Sequence, residues 1–148
     1  ESNAQSSSYT DMNVPFTAQS DFWLTYYAGL ESEATFANVR FYKGTTLLGR
    51  ILLNDGGALS YWTLQTYNGS YSTVATGGLS MSDGQIGRLD IHIIMHDTTG
   101  LMELHQDGIL LAKFEGDTIV NGEFTVDIIN FDSTSGSSLE FVSTIYPE

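Results

Sequence analysis

Residues Arg88–Thr118 read RLDIHIIMHDTTGLMELHQDGILLAKFEGDT, and the register of this stretch decides the fold. Leu89, Ile91, Ile93 and Met95 alternate with Arg88, Asp90, His92, Ile94 and His96. That is the period-two pattern of a strand with one buried face. Asp97-Thr98-Thr99-Gly100 carries type I turn chemistry, Asp first and Gly last. Closing the hairpin around Thr98-Thr99 sets Met95 opposite Met102 and Ile93 opposite Leu104 on one face. His92 then faces His105, and Ile94 faces Glu103, on the other. One face is apolar and the other largely polar, so the pairing is self-consistent. Asp107-Gly108 is the next turn and the strongest short hairpin signal in the chain. A plain two-residue loop sets Leu104 against Leu111 and Met102 against Lys113, a poor buried face. A three-residue loop with Gly108 as a left-handed bulge pairs Leu104 with Leu110 and Met102 with Ala112. It points Phe114 inward and Lys113 outward, and this bulged form is the expectation.

The rest of the chain repeats the theme. Strand-like runs cover Tyr9–Ala18, Phe22–Leu30, Phe36–Lys43, Thr46–Leu53, Ala58–Tyr67 and Tyr71–Ala75, then Arg88–His96, Leu101–Gln106, Ile109–Glu115, Glu123–Phe131 and Leu139–Tyr146. Gly-, Asn- and Ser-rich clusters separate them, and no segment carries a helical period. Strands this short and this regularly spaced predict an all-β fold, an antiparallel two-sheet β-sandwich of jelly-roll type. The chain's 148 residues suffice for one domain with a real core. Residues 1–8, rich in Ser, Asn and Gln, read as a flexible segment, and 9–148 as a single domain. The first residue is Glu, which points to a processed form or to a fragment of a longer protein.

Composition narrows the function. Five Lys+Arg against 18 Asp+Glu give a net charge of −13. Such a surface repels phosphate backbones, so nucleic acid and anionic membrane are poor partners. No apolar run is long enough for a membrane span. With no cysteine there is neither a disulfide framework nor a thiolate metal site. The acidity reads first as solubility outside a cell, and second as a supply of carboxylates for calcium.

The run Arg88-Leu89-Asp90-Ile91-His92, then Gly100-Leu101-Met102-Glu103-Leu104, Asp107-Gly108-Ile109-Leu110 and Phe114-Glu115-Gly116-Asp117-Thr118, resembles the concanavalin A-like, laminin-G-like lectin/glucanase sandwich. The closing Leu139–Tyr146 resembles the last strand of related domains in phage and prophage structural proteins. The motif spans the second half of the chain. It implies the fold and leaves the ligand open, because this sandwich hosts lectins, adhesion modules, glycosidases and structural parts.

Four constellations bear on chemistry. The glucanases of this fold carry a Glu-x-Asp-x-Glu strand, and no such run is present; Glu31-Ser32-Glu33 and the Glu123/Asp127 pair do not supply it. The reading is therefore non-enzymatic. His92, His105 and Glu103 on one polar face, with His96 further along, have the chemistry of a zinc or nickel site but no ligand-spacing signature. Asn54-Asp55, Asp83, Asp97 and Asp117 with Asn121 lie at turns and leave calcium open as a cofactor; the competing reading is capping of their own backbone. The aromatic set is the leading hint. Trp23, Tyr27, Tyr42, Tyr61, Trp62, Tyr67 and Tyr71 lie mostly off the oiliest positions, with Asn38, Arg40, Gln65 and Asn68 nearby as hydrogen-bonding groups. Rings that stack on sugar C–H faces beside such groups make a glycan site, against the alternative that strands are simply rich in Tyr and Trp. Trp23, Tyr27, Arg40, Tyr42, Tyr61, Tyr67 and Tyr71 are the candidate ligand-binding residues.

The expectation is a non-catalytic carbohydrate-recognition or adhesion module, secreted by a bacterium or displayed on a virion surface, binding glycan through weak sites in many copies, as in a multivalent homo-oligomer. The alternatives are a structural domain packed on a partner protein, and a glucanase-type glycosidase.

Overall fold

The computed structural model describes residues 10–29, 37–55, 60–78, 86–119, 121–133 and 144–147. Eleven strands run in chain order: β1 Thr10–Gln19, β2 Asp21–Gly29, β3 Ala37–Lys43, β4 Thr46–Asp55, β5 Ser60–Tyr67, β6 Tyr71–Gly77, β7 Ile86–Ile94, β8 Gly100–Gln106, β9 Ile109–Gly116, β10 Val126–Ser133 and β11 Thr144–Pro147. They form two antiparallel sheets. The first is ordered β1-β10-β3-β4-β5-β6, the second β11-β2-β7-β8-β9. The jelly-roll sandwich expected from the strand rhythm is the fold observed.

The alternation explains the layers. In the five-stranded sheet Phe22, Leu24 and Tyr26, then Leu89, Ile91 and Ile93, then Met102 and Leu104 all point inward and are buried. Val39, Phe41, Ile51, Leu53, Trp62, Leu64, Ile129 and Phe131 close the core from the six-stranded sheet. Rings lock the two sheets together: Phe22 meets Phe41 edge-on at 6.5 Å between centroids, and Tyr26 meets Phe131 at 5.6 Å. At about 25 cal/mol per Å² of apolar surface, each fully buried side chain contributes on the order of 2 kcal/mol.

Both hairpins of the Arg88–Thr118 stretch depart from the expected register. Ile93 pairs with Met102, Ile91 with Leu104, His92 with Glu103 and Asp90 with His105. Strand β7 therefore ends two residues early. A shift of two keeps every side chain on its face, so the buried pattern survives. The cause lies outside the hairpin. Met95 N–H donates to Ser20 O (2.7 Å), and His96 N–H donates to Thr118 Oγ1 (2.9 Å). His96 Nδ1 then accepts from the Thr98 and Thr99 amides, both at 3.1 Å, and caps the turn. In the second hairpin Gln106 pairs with Ile109 across a two-residue Asp107-Gly108 turn, with φ of 50° and 82° at its centre. The bulge sits one step further on. Leu104 pairs with Ala112 and His105 with Leu110, which leaves Leu111 as the extra residue. That extra residue restores the parity a plain turn would spoil, and Leu111 and Phe114 both pack against the core. Gly77 makes room for it: a Cβ there would stand 2.7 Å from Leu111 O.

Candidate functional site

The inward pattern of the six-stranded sheet dictates what faces out. Along β3, Asn38, Arg40 and Tyr42 alternate with the buried Val39 and Phe41. Along β5, Tyr61, Thr63, Gln65 and Tyr67 alternate with Trp62, Leu64 and Thr66. Arg50 on β4, Asn130 and Asp132 on β10, Asp11 and Asn13 on β1, and Tyr71 and Thr73 on β6 complete one polar face. Asn38, Thr63 and Asn130 point outward yet are buried, at 7%, 5% and 4% exposure. They form the floor of this face, and longer side chains rise around them. On the β1 side the floor opens into a groove of about 470 Å³, lined by Asp11, Asn13, Arg40, Tyr42, Ile128 and Asn130 among others.

Hydrogen bonds fix the face in place. The Asn130 amide donates to Asn13 Oδ1 at 3.0 Å and to Asp11 Oδ1 in a shorter contact. Arg40 Nη2 is paired with Asp132 Oδ2 at 2.6 Å. Arg50 Nε donates to Gln65 Oε1 at 2.5 Å and its Nη1 to Asn38 Oδ1 at 3.3 Å; Gln65 Nε2 in turn donates to Thr73 Oγ1 at 2.9 Å. The Arg50 guanidinium lies 3.7 Å above the Tyr71 ring, and Tyr71 meets Tyr67 edge-on at 4.9 Å. Burial lowers the Arg50 pKa, with Arg40 acting in the same direction, but a guanidinium stays charged at any working pH. At the rim, Lys43 Nζ is 2.8 Å from Asp127 Oδ2, and hydrogen bonds from Lys43 and the Gly44 amide hold the Asp127 carboxyl below its ordinary range against a smaller effect of burial. Two buried atoms on the groove floor, Arg40 Nε and Asn130 Oδ1, have no hydrogen-bond partner among the described residues.

Of the seven candidate residues, Arg40, Tyr42, Tyr61, Tyr67 and Tyr71 share this face. Tyr61 stands at its β4–β5 end, opposite Asn54. Trp23 and Tyr27 do not join them. They lie on β2, on the outer face of the other sheet, separated from Arg40 by the whole core. Trp62 is an inward core residue with 0% exposure. Arg50, Asn13, Asn130 and Asp132 are additions that the sequence reading did not single out. Their signal was outward parity on strands neighbouring Arg40, which only the strand order reveals.

The histidines belong with Trp23. His92 stacks under the indole at 4.4 Å and 12°, with Nε2 2.9 Å from Asp21 Oδ1; His105 lies at 5.8 Å from the same ring. Glu103 receives His105 at 3.4 Å and Lys113 at 3.2 Å. Burial pushes the Glu103 carboxyl up, but the bonds from Lys113 and His105 together outweigh it and hold the group below its ordinary range. Among the described residues no group of three or more His, Cys, Asp or Glu side chains is arranged to hold a metal ion. Of the turn residues considered for calcium, Asp83 lies outside the described residues. Asp117 Oδ1 accepts from Ile119 N–H at 2.9 Å and caps its own turn, whereas Asn121 Nδ2 donates to Leu47 O on β4 at 2.9 Å, so both are engaged with backbone groups.

No family model matches the chain, and no curated protein sequence matches it. Solved structures do. Sheep galectin-11, in complex with glycerol, superposes with a TM-score of 0.62 at 14% identity, over 94% of this chain and 98% of that one. The fold is the galectin-like jelly roll. The carbohydrate-binding module CBM66 of Bacillus subtilis gives 0.64 at 10% identity, over 97% and 91% of the two chains. A sialidase gives 0.68 at 10% identity over 98% of this chain, which spans only 15% of the sialidase. At such identities the likeness is one of fold, and it recurs in proteins named as a lectin, a binding module and part of an enzyme. Function must be read from the side chains.

Proposed function

We propose that the chain is a carbohydrate-recognition module that holds sugar on the outer face of the six-stranded sheet. The observation that carries this reading is the array of Asn38, Arg50 and Gln65, bonded to one another beside the Tyr71 ring, with Arg40 held by Asp132 and Asn130 by Asp11 and Asn13. Adjacent hydroxyls of a sugar ring match such planar amides and guanidinium groups, which can hydrogen-bond two oxygens at once. The C–H face of the ring can rest on Tyr42 or on the Tyr67–Tyr71 pair. Side chains already fixed in place lose little freedom on binding.

The role is recognition rather than cleavage. Asp132 and Asp11, the acids on the face, are engaged in holding Arg40 and Asn130. An open site of this kind binds weakly one copy at a time, and display in many copies raises its avidity. An extracellular or particle-surface setting suits a module with a net charge of −13. No helix among the described residues is long and apolar enough to cross a membrane. The test is a glycan-array screen of the multivalently displayed domain, with calcium and again with EDTA. Specific binding that Arg40→Ala removes, with unfolding unchanged, supports the reading. A blank array refutes it and leaves a structural or protein-binding role.

A further inference from the structure

We infer that this face selects sugars bearing an anionic oxygen group, a carboxylate or a sulfate, and that Arg50 is the specificity-determining residue; the inference rests on the carbohydrate reading above. The chain has five Lys and Arg residues. Arg40 is paired with Asp132 at 2.6 Å, Lys43 with Asp127 at 2.8 Å, Arg88 with Asp90 at 2.9 Å, and Lys113 with Glu115 at 2.8 Å. Arg50 alone has no carboxylate within ion-pair distance among the described residues. In a chain with 18 acidic residues, this is a selective omission.

Arg50 is also placed at a cost. It sits directly across the β3–β4 ladder from Arg40, and like charges in cross-strand register repel. It is half-buried, and that burial disfavours its charge. Its hydrogen-bonding and ring partners are neutral, the Gln65 and Asn38 oxygens and the Tyr71 ring; Asp132 favours its charge through space but is itself bonded to Arg40.

The hydrogen-bond inventory sets the ligand class. Gln65 Oε1 and Asn38 Oδ1 are both spent on Arg50, so the Asn38 amide presents N–H groups and the guanidinium keeps N–H groups on Nη1 and Nη2. Around Arg50 the face therefore offers more donors than free acceptors, while the unpartnered acceptor Asn130 Oδ1 lies on the β1 side. A hydroxyl can answer a donor, but an ionised carboxylate or sulfate accepts only and adds charge, which makes it the better complement. The overall charge does not oppose this at close range. Exposed charges beyond about 8 Å are screened at physiological salt, and Arg40 and Asp132 cancel locally.

The experiment is an array in which uronate, sialoside and sulfated oligosaccharides each stand beside a neutral counterpart: the methyl ester, the reduced sugar or the desulfated chain. The wild-type domain is expected to favour the charged member by about 10-fold or more, and Arg50→Gln to collapse that ratio towards one, as the loss of a charge-assisted bond requires. Arg50→Lys, which keeps the charge but not the planar fork, should retain part of the ratio. Preference confined to uronates or to sulfates tells the two sources apart. Equal binding of charged and neutral members by wild type, which needs no variant to fold, overturns the inference while the carbohydrate reading stands. An unchanged ratio in folded Arg50→Gln overturns it as well. A complete blank would instead refute the carbohydrate reading.

Discussion

Asn130→Asp is a change of one atom group that should damage this protein out of proportion to its size. Asn130 is 4% exposed on the groove floor, and its amide donates to both Asp11 Oδ1 and Asn13 Oδ1. The substitution keeps the shape and removes both donors. The bond to the Asp11 carboxylate is charge-assisted, about 1.5–3 kcal/mol, and the one to Asn13 is a neutral bond of about 1 kcal/mol. The introduced carboxylate then faces Asp11 directly, and two unit charges about 4 Å apart repel by about 1–4 kcal/mol between water-like and surface-like dielectrics. Asp11 is exposed, so the lower part of each range applies and the sum is about 3.5 kcal/mol. At an m value of about 2 kcal/mol/M, the urea midpoint should fall by about 1.7 M at pH 7. Burial and the neighbouring acid both raise the pKa of the introduced carboxyl. Once protonated, it can donate to Asp11 again, so the gap to wild type should narrow as pH falls from about 7 to about 4.5. Urea unfolding at both pH values is the assay. A midpoint shift under about 0.3 M, or one that is the same at both pH values, would show that Asn130 does not hold β1 to the groove in this way.

Thr118→Val should cost about 2 kcal/mol and about 4–8 °C in Tm, because Thr118 Oγ1 accepts from His96 N–H and donates to Ile94 O at 2.8 Å; amide exchange should accelerate at His96, and unaltered protection there would contradict the account of the early end of β7. Trp23→Ala should leave glycan binding within about twofold of wild type, since Trp23 lies on the opposite sheet; a tenfold loss would move the site to the five-stranded face. Glu103 and Asp127 are both held below their ordinary carboxyl pKa, so their stabilisation is present above the unfolded value, near pH 4, and is lost as pH falls through the lower folded values. Glu103→Gln should therefore flatten the acid limb of a stability–pH curve, and an acid limb as steep as wild type would remove Glu103 from that role.

Alternation made the strands legible, because a strand with one face in the core must write period two into its sequence whatever its neighbours are. The eleven runs correspond one to one with β1–β11. Register was harder, because it depended on partners remote in sequence. Nothing near Met95 announces that Ser20 and Thr118 will draw the chain off β8. Likewise, a turn at Asp107-Gly108 cannot by itself say whether parity is mended in the loop or at Leu111. The same limit split the candidate site. Trp23 and Tyr42 both occupy outward positions, but in a sandwich outward has two opposite meanings, and only strand order assigns β2 to one sheet and β3 to the other. Arg50 was hidden for a related reason. Phe41 pairs with Gly49 and Tyr42 with Leu47, so β4 carries an irregularity that breaks its alternation just ahead of Arg50.

The placement of β1 and β11 also sets a timetable. β1 pairs with β10, Thr10 with Ser133 and Met12 with Phe131, while the outer side of β2 waits for β11, where Thr144 meets Thr25. During synthesis at about 5–20 residues per second, the first two strands emerge many seconds before their partners exist. The β7-β8-β9 meander, closed by two tight turns, has all its partners at hand within a few dozen residues. A nascent chain should therefore gather around the meander while β1 and β2 stay open-edged, and the arrival of β10 and β11 rather than turn formation becomes the event that completes both sheets.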